Sequence, residues 1–386
     1  MKIKIKSTIL VLVCLLILNI PYLSQNMNNM INLVIESFLL IYMFTKLHTK
    51  HSLKSNIYVL LFWLLMVICT FLNFKFTSRT LNAFVTGAQY FFLFYYISYF
   101  SKKDSLQSVI NLLWKYFLFV ILIADFIVIL SGGNGIWNQD IVQRYYLIGN
   151  KFTVSYYHMF FLSLFLAQNV NVKRAKHRNL IFFLLLAYSI FICHVIDCNT
   201  GIVGCLVIAL VHLISFRKNN LIEIMSKPTT IITFFVLSTF LLVGTDLLLN
   251  NQYINNIFGK FSHTSKLLSG RLDMYAITLN GIKAALWMGH GINCTLVQDV
   301  LSWGNPQNGL LKMLLDFGII GTASFLLLIY DSTKNNRNNN KQIEYSMLAF
   351  VYGMIICSMV EINLSGLFYL GLVLLKMSKR DVQKNF

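Results

Sequence analysis

The stretch SGRLDMYAITLNGIKAALWMGHGINCTLVQDVLSWGNPQNGLLKMLLDFGIIG, residues 269–321, changes character midway. Its first part carries Arg271, Asp273, Lys283, His290 and Asp299. From Asn308 it enters an apolar run that continues to about residue 330. A polar segment that runs straight into about 20 apolar residues is the pattern of a chain entering a bilayer. The rest of the chain repeats it. Apolar runs fall at about 7–24, 30–47, 56–76, 81–100, 107–131, 152–170, 179–197, 200–216, 228–250, 308–330, 343–362 and 363–377.

These are twelve candidate spans in one 386-residue membrane domain. The fold expected is all-α, a polytopic helical bundle. Composition agrees: 57% of residues are apolar and 12% charged, against about 25% charged in soluble domains. Only Pro21, Pro228 and Pro306 are available to punctuate short soluble elements. The pairs 179–216 and 343–377 have very short connecting turns.

Lys2, Lys4 and Lys6 precede the first run, but no small-x-small cleavage site follows it. It reads as a retained helix with a cytoplasmic N-terminus. Alternating the remaining spans then places 22 of the 32 Lys and Arg residues on inner segments and eight on outer ones. That bias fits the positive-inside rule and puts both termini in the cytoplasm. The net charge of +18 is therefore read as orientation in a cell membrane, with lipid as partner and no nucleic acid.

Two outer loops result, 132–151 and 251–307, the second carrying short helices. Leu272, Tyr275, Leu279, Ile282 and Leu286 recur at helical spacing, which predicts a short helix lying along the membrane interface. The outer basic residues resist the sorting bias and are the ones to suspect of binding. Arg271, Arg144 and Lys151 are candidates for an anion clamp, because guanidinium matches phosphate oxygens two at a time. Acid–base candidates outside are Asp140, Asp197, His263, Asp273, His290 and Asp299. His290 lies between two glycines, which permit close backbone approach.

The seven cysteines form no CxxC pair, and no HExxH or acidic triplet suggests a metal or another cofactor. Glu36, Lys115, Asp125, Asp316 and Glu361 fall in apolar runs, where a charge is costly unless paired or wet. Lys312 and Asp316, one turn apart, are expected to pair. His194 and Asp197 are expected to bond locally. His158, in VSYYHMFF, goes with helix packing. TKNNRNNNK (333–341) reads as a solvated inner linker.

Gly270-Arg271, an apolar helix, Gly289-His290-Gly291, Asn308-Gly309-Leu310-Leu311 and Asp316-Phe317-Gly318-Ile319-Ile320-Gly321 together resemble the C-terminal signature of O-antigen ligases and Wzy-type polysaccharide polymerases. LIGNKFTVSYYH (147–158) is similar to a loop-to-helix segment of Gram-positive capsule and exopolysaccharide polymerases. The resemblance implies a GT-C-like, metal-independent glycosyltransferase. It would move a glycan from undecaprenyl pyrophosphate to the next lipid-linked repeat unit at the outer membrane face.

On that resemblance Arg271 holds pyrophosphate, with His290 and Asp273 as catalytic candidates. Arg144 and Lys151 assist, and Asn308 and Gln307 line the acceptor site. Flippase and chain-length-regulator proteins are the candidate partners. Two departures stand out. Gln307 replaces the family's frequent histidine and cannot serve as a base. DCNTGIVG (197–204) lacks the arginine that many relatives carry there. A ligase moving finished glycan, or a lipid-linked oligosaccharide flippase, are the alternatives, although no repeat-related halves favour the transporter.

Overall fold

The computed structural model describes residues 56–140, 143–168, 175–217, 219–249, 269–302, 304–334 and 340–379. The expected spans at 7–24 and 30–47, and residues 251–268 of the second outer loop with His263, lie outside the described residues.

Every expected span from residue 56 onward is a helix. In order they are α1 (Ile57–Phe74), α2 (Ser78–Asp104), α3 (Leu106–Leu130), α4 (Lys151–Ala167), α5 (Ala175–Val195), α6 (Asn199–Arg217), α7 (Asn219–Met225), α8 (Pro228–Leu249), α9 (Ser269–Ala284), α10 (Leu296–Leu301), α11 (Gly309–Thr333), α12 (Lys341–Ser358) and α13 (Gly366–Lys379). Four of these segments are long and apolar enough to cross a membrane: Ile57–Phe74, Leu106–Leu130, His177–Val195 and Gly309–Thr333. Their outer faces leave large apolar side chains uncovered, among them Phe119, Phe126, Leu180 and Leu184. Lipid is the solvent that suits such a surface.

The centre of the bundle is α4 and α12, apolar on all sides and buried along almost their whole length. A helix without a polar face is stable only inside. Small residues let α6 close onto them. A Cβ on Gly201 would stand 2.4 Å from Ser155, and one on Gly204 would stand 2.5 Å from Met159.

The helices share two ends. At one, Lys379 at the close of α13 donates to the carbonyls of Ser226 and Thr333 and pairs with Glu344, while Tyr352 reaches the carbonyl of Met225. At the other lie the α1–α2 turn, the 131–150 loop, the α5–α6 turn, the segment 285–308 and the α12–α13 turn. The hairpin loop and the described part of the 251–307 loop thus sit at the same end.

The 132–151 loop carries structure that sequence reading left unspecified. It forms a three-stranded antiparallel sheet of β1 (Trp137–Asp140), β2 (Gln143–Tyr146) and β3 (Gly149–Asn150), with Trp137 opposite Tyr145 and Tyr146 opposite Gly149. The bundle is all-α as expected, and the hairpin is a small β addition to it. The middle of the α9 stripe faces protein, whereas Leu286, just past the helix, is exposed. Tyr275 and Ile282 are buried, packing with Val243, Leu311 and Leu315 on α8 and α11. Protein side chains supply a closer-fitting apolar partner than the interface would.

The loop after α9 is spliced into α11. Gly318 sits inside that helix at φ 61°, ψ −165°, a conformation essentially confined to glycine. In a straight helix Ile319 and Ile320 would donate to Leu315 and Asp316. Here their N–H groups donate to the carbonyls of Leu286 and Trp287, at 2.9 and 3.1 Å. The carbonyls of Leu315 and Asp316 accept from His290 and Gly291, at 2.8 and 2.7 Å. Two helical bonds are exchanged for four bonds to the loop, so the break leaves none of these four groups unpaired. The backbones touch: a Cβ on Gly289 would stand 2.5 Å from the Gly318 nitrogen. Gly289 of GHG and Gly318 of DFGIIG are thereby accounted for by a close approach of two main chains.

Candidate functional site

The exposed end is built from the hairpin upward. Gly133, at φ 79°, lies against the end of α5, where a Cβ would stand 2.1 Å from the carbonyl oxygen of Val195. Its carbonyl accepts from the buried Tyr146 hydroxyl at 2.6 Å and from Arg144 Nη1 at 3.3 Å. Burial pushes the Tyr146 hydroxyl up from its ordinary value, with Arg144 opposing. It therefore stays protonated and serves as a donor. This one carbonyl ties β2 to the turn after α3, which packs against the end of α5.

Arg144 Nη1 also reaches Asp197 Oδ2, at 3.2 Å. Lys151, the first residue of α4, donates to the backbone carbonyl of Asp197, at 3.2 Å. Its position is set by Asn150, whose side chain caps α4 by accepting from Thr153 N at 3.0 Å. Asp197 occupies the two-helix turn between α5 and α6 at φ 55°. The local bond expected between His194 and Asp197 is a main-chain one only, Asp197 N to His194 O. The Asp197 carboxylate instead faces Arg144. Sequence reading proposed Arg271, Arg144 and Lys151 as a clamp, and the structure brings Arg144 and Lys151 together at Asp197, which was named as an acid–base candidate bonding locally and not as their partner. The one signal was position: an acid at an outer end, in a segment where the resemblance expected a cation.

The same turn leads to α12. Thr200 O accepts from Cys357 Sγ at 3.4 Å. Glu361, in the turn that follows, lies within electrostatic reach of Tyr156 and Cys357. Asn308 anchors this turn. Its Oδ1 accepts from Leu311 N at 3.0 Å, capping α11, and its Nδ2 donates to Met359 O at 2.9 Å. Asn308 is buried with both polar atoms engaged. Its place in the family signature is explained by fixing the start of α11 against the α12–α13 turn. Gln307 precedes it at φ 44° and is half-buried.

The remaining candidates belong to α9 and its loop. Arg271 falls in the first turn of α9, and Asp273 is exposed on the same helix. His290 Nε2 lies 2.8 Å from the carbonyl of Gly281. A carbonyl only accepts, so Nε2 carries hydrogen and Nδ1 is the basic nitrogen of a neutral ring. Lys312 pairs with Asp316 at 2.8 Å, as expected from their spacing, and also donates to Cys294 O at 3.1 Å. Asp316 Oδ1 accepts from Cys294 N at 3.3 Å. This pair closes the spliced loop from below. Among the described residues no three His, Cys, Asp or Glu side chains gather as a metal-ligand set.

Below the hairpin is a node that sequence reading divided between packing and an unpartnered acid. His158 of α4 is 3.0 Å from Asp125 of α3 through Nε2 and 3.2 Å from Ser189 of α5 through Nδ1. The Tyr188 hydroxyl donates to the other Asp125 oxygen at 2.7 Å. Asp125, His158 and Ser189 are buried. The node ties together the three helices whose ends carry Gly133, Lys151 and Asp197.

Residues 180–326 match the model of the O-antigen ligase family. That segment runs from α5 through the α5–α6 turn and α9 into the spliced part of α11, and leaves the hairpin outside it. No curated protein and no solved structure gives a significant match. With its long apolar helices the chain is a multi-pass membrane protein, and its segment 180–326 is similar to the O-antigen ligase family.

Proposed function

We propose that the protein is a polysaccharide repeat-unit polymerase working at the outer face of the cytoplasmic membrane. Its donor is a glycan on undecaprenyl pyrophosphate, and its acceptor is the next lipid-linked repeat unit. The observation that carries this reading is the convergence of Arg144 and Lys151 on one point of the exposed end, in a chain with this family similarity. Their two charges, joined by Arg271 from the first turn of α9, neutralise the departing diphosphate. Charge developing on a leaving group is where prepositioned cations lower a barrier most. No metal is needed for that step.

The acceptor hydroxyl is held near the start of α11, where Asn308 and Gln307 meet the α12–α13 turn. Gln307 cannot take its proton. Glu361, on that turn, is the carboxylate assigned to this role. His290 Nδ1 is the second candidate, but its main chain is bonded to Leu315, about two turns along α11 from Asn308. The fold keeps substrates lipid-anchored while only their polar heads enter the exposed end, so the reacting groups meet in two dimensions.

A deletion strain tests this directly. Accumulation of single lipid-linked repeats supports polymerisation. Accumulation of full-length lipid-linked chains instead supports the ligase reading, and substrate trapped inside the cell supports a flippase. Arg271→Ala is expected to abolish polymer while the protein remains in the membrane. Normal polymer in that variant would remove Arg271 from the mechanism.

A further inference from the structure

An arginine and a lysine facing the headgroup region of a bilayer meet a constant supply of monoanionic phosphodiesters. A clamp of two cations would fill with them. The structure shows what stands there: the carboxylate of Asp197, 3.2 Å from Arg144 Nη1. We propose that Asp197 is a specificity-determining residue, a tethered carboxylate that occupies the Arg144–Lys151 site until a diphosphate displaces it. The inference rests on the reading of that site as a diphosphate clamp.

The geometry suits a contact made to be exchanged. The pair is monodentate through Oδ2, and the side chains are 40% and 72% exposed. Ion pairs this open to water contribute little. The rest of the turn does not depend on it. Lys151 holds the main-chain carbonyl of Asp197 rather than its side chain, and Cys198 N donates to Cys193 O at 2.8 Å. The carboxylate can swing away while its backbone stays in place.

Charge then decides what displaces it. Exchanging the carboxylate for a phosphodiester replaces one negative charge by another and surrenders the tether. Exchanging it for a diphosphate brings at least one more negative charge to two cations, and more oxygens to a guanidinium that Asp197 engages through only one. Discrimination comes from the incumbent and not from the shape of the cations.

The test uses the full-length chain in phosphatidylcholine nanodiscs, titrated with inorganic pyrophosphate and with dimethyl phosphate as a soluble monoanionic diester. Asp197→Asn is the informative variant. Asparagine adopts the left-handed backbone at this position at least as readily as aspartate, so the turn is kept. The unaltered protein is expected to prefer pyrophosphate. In Asp197→Asn, dimethyl phosphate binding should tighten about fivefold, with a smaller gain for pyrophosphate. In Asp197→Asn with Arg144→Gln, that gain should vanish.

If Asp197→Asn leaves both affinities unchanged while Arg144→Gln removes pyrophosphate binding, the clamp stands and the role given to Asp197 is wrong. If pyrophosphate binds neither the unaltered protein nor Asp197→Asn, the clamp reading itself falls, and this inference with it.

Discussion

Two acid–base pairs belong to one part of the molecule, one buried between α3 and α4 and one in the loops that join these helices and α5, and they are built for opposite ends. Asp125 and His158 meet at 3.0 Å with side chains 1–2% exposed, and both are bonded further, to Tyr188 and Ser189. Arg144 and Asp197 meet at 3.2 Å with most of the Asp197 side chain in solvent. Their lengths are nearly the same, so distance does not separate them. Burial does. A buried pair costs several kcal/mol to break, because one partner is left without solvation. An exposed pair is worth about 0–1 kcal/mol. The first can fix where three helices stand, and the second can be given up to a ligand. The site has a rigid base and an exchangeable surface.

The largest effect should come from breaking the buried pair. His158→Leu leaves Asp125 inside the bundle with only Tyr188. It should cost about 3–5 kcal/mol, read as a large fall in melting temperature in detergent. Adding Asp125→Leu to it should recover most of that loss. If the single change is harmless, the node is not what holds α3, α4 and α5 together.

The next effect belongs to the exposed end. Glu361→Gln should lower turnover about 100-fold with melting unchanged, if this carboxylate takes the acceptor proton. A His290→Gln protein that loses the activity instead would move the proton step to the spliced loop. Gly318→Ala probes the rigid side again. A Cβ there would stand 2.4 Å from the Trp287 carbonyl group, at a backbone angle closed to alanine. The expected cost is about 1–3 kcal/mol. An alanine protein that melts normally would show that loop and helix are not interlocked in the membrane.

The smallest expected effect is that of Arg144→Lys. It keeps the charge and loses the planar fork, and turnover should fall about tenfold. Full activity would reduce the role of Arg144 to general charge attraction.

How much of this was legible in the sequence follows the range of the interaction. Apolar runs are local, and they mark every described span, including the closely spaced pairs that separate at Asp197 and after Ser358. Lys312 and Asp316 are one helical turn apart, and their pairing followed from that alone. Asp125 was recognisable as an acid needing a partner, but His158 lies 33 residues away. Arg144 and Asp197 are 53 apart. No periodicity reports such meetings, which depend on how α3, α4 and α5 pack.

The hairpin escaped because WNQD and QRYY lack the alternation of a half-buried strand. The signature residues Asn308, Gly289 and Gly318 were visible as chemistry-bearing or ligand-approaching positions. In the fold, Asn308 caps a helix, and the two glycines let main chains touch. The resemblance picked these positions out without distinguishing a catalytic reason from a structural one.

The central claim is that Arg144 serves the lipid diphosphate and not the fold. The direct test is donor turnover by the full chain in proteoliposomes, with purified lipid-linked repeat unit, for the unaltered protein and for Arg144→Gln. The account predicts a loss of about 100-fold or more in Arg144→Gln, with the melting temperature of the two proteins the same. Donor consumed at the unaltered rate by Arg144→Gln would contradict it.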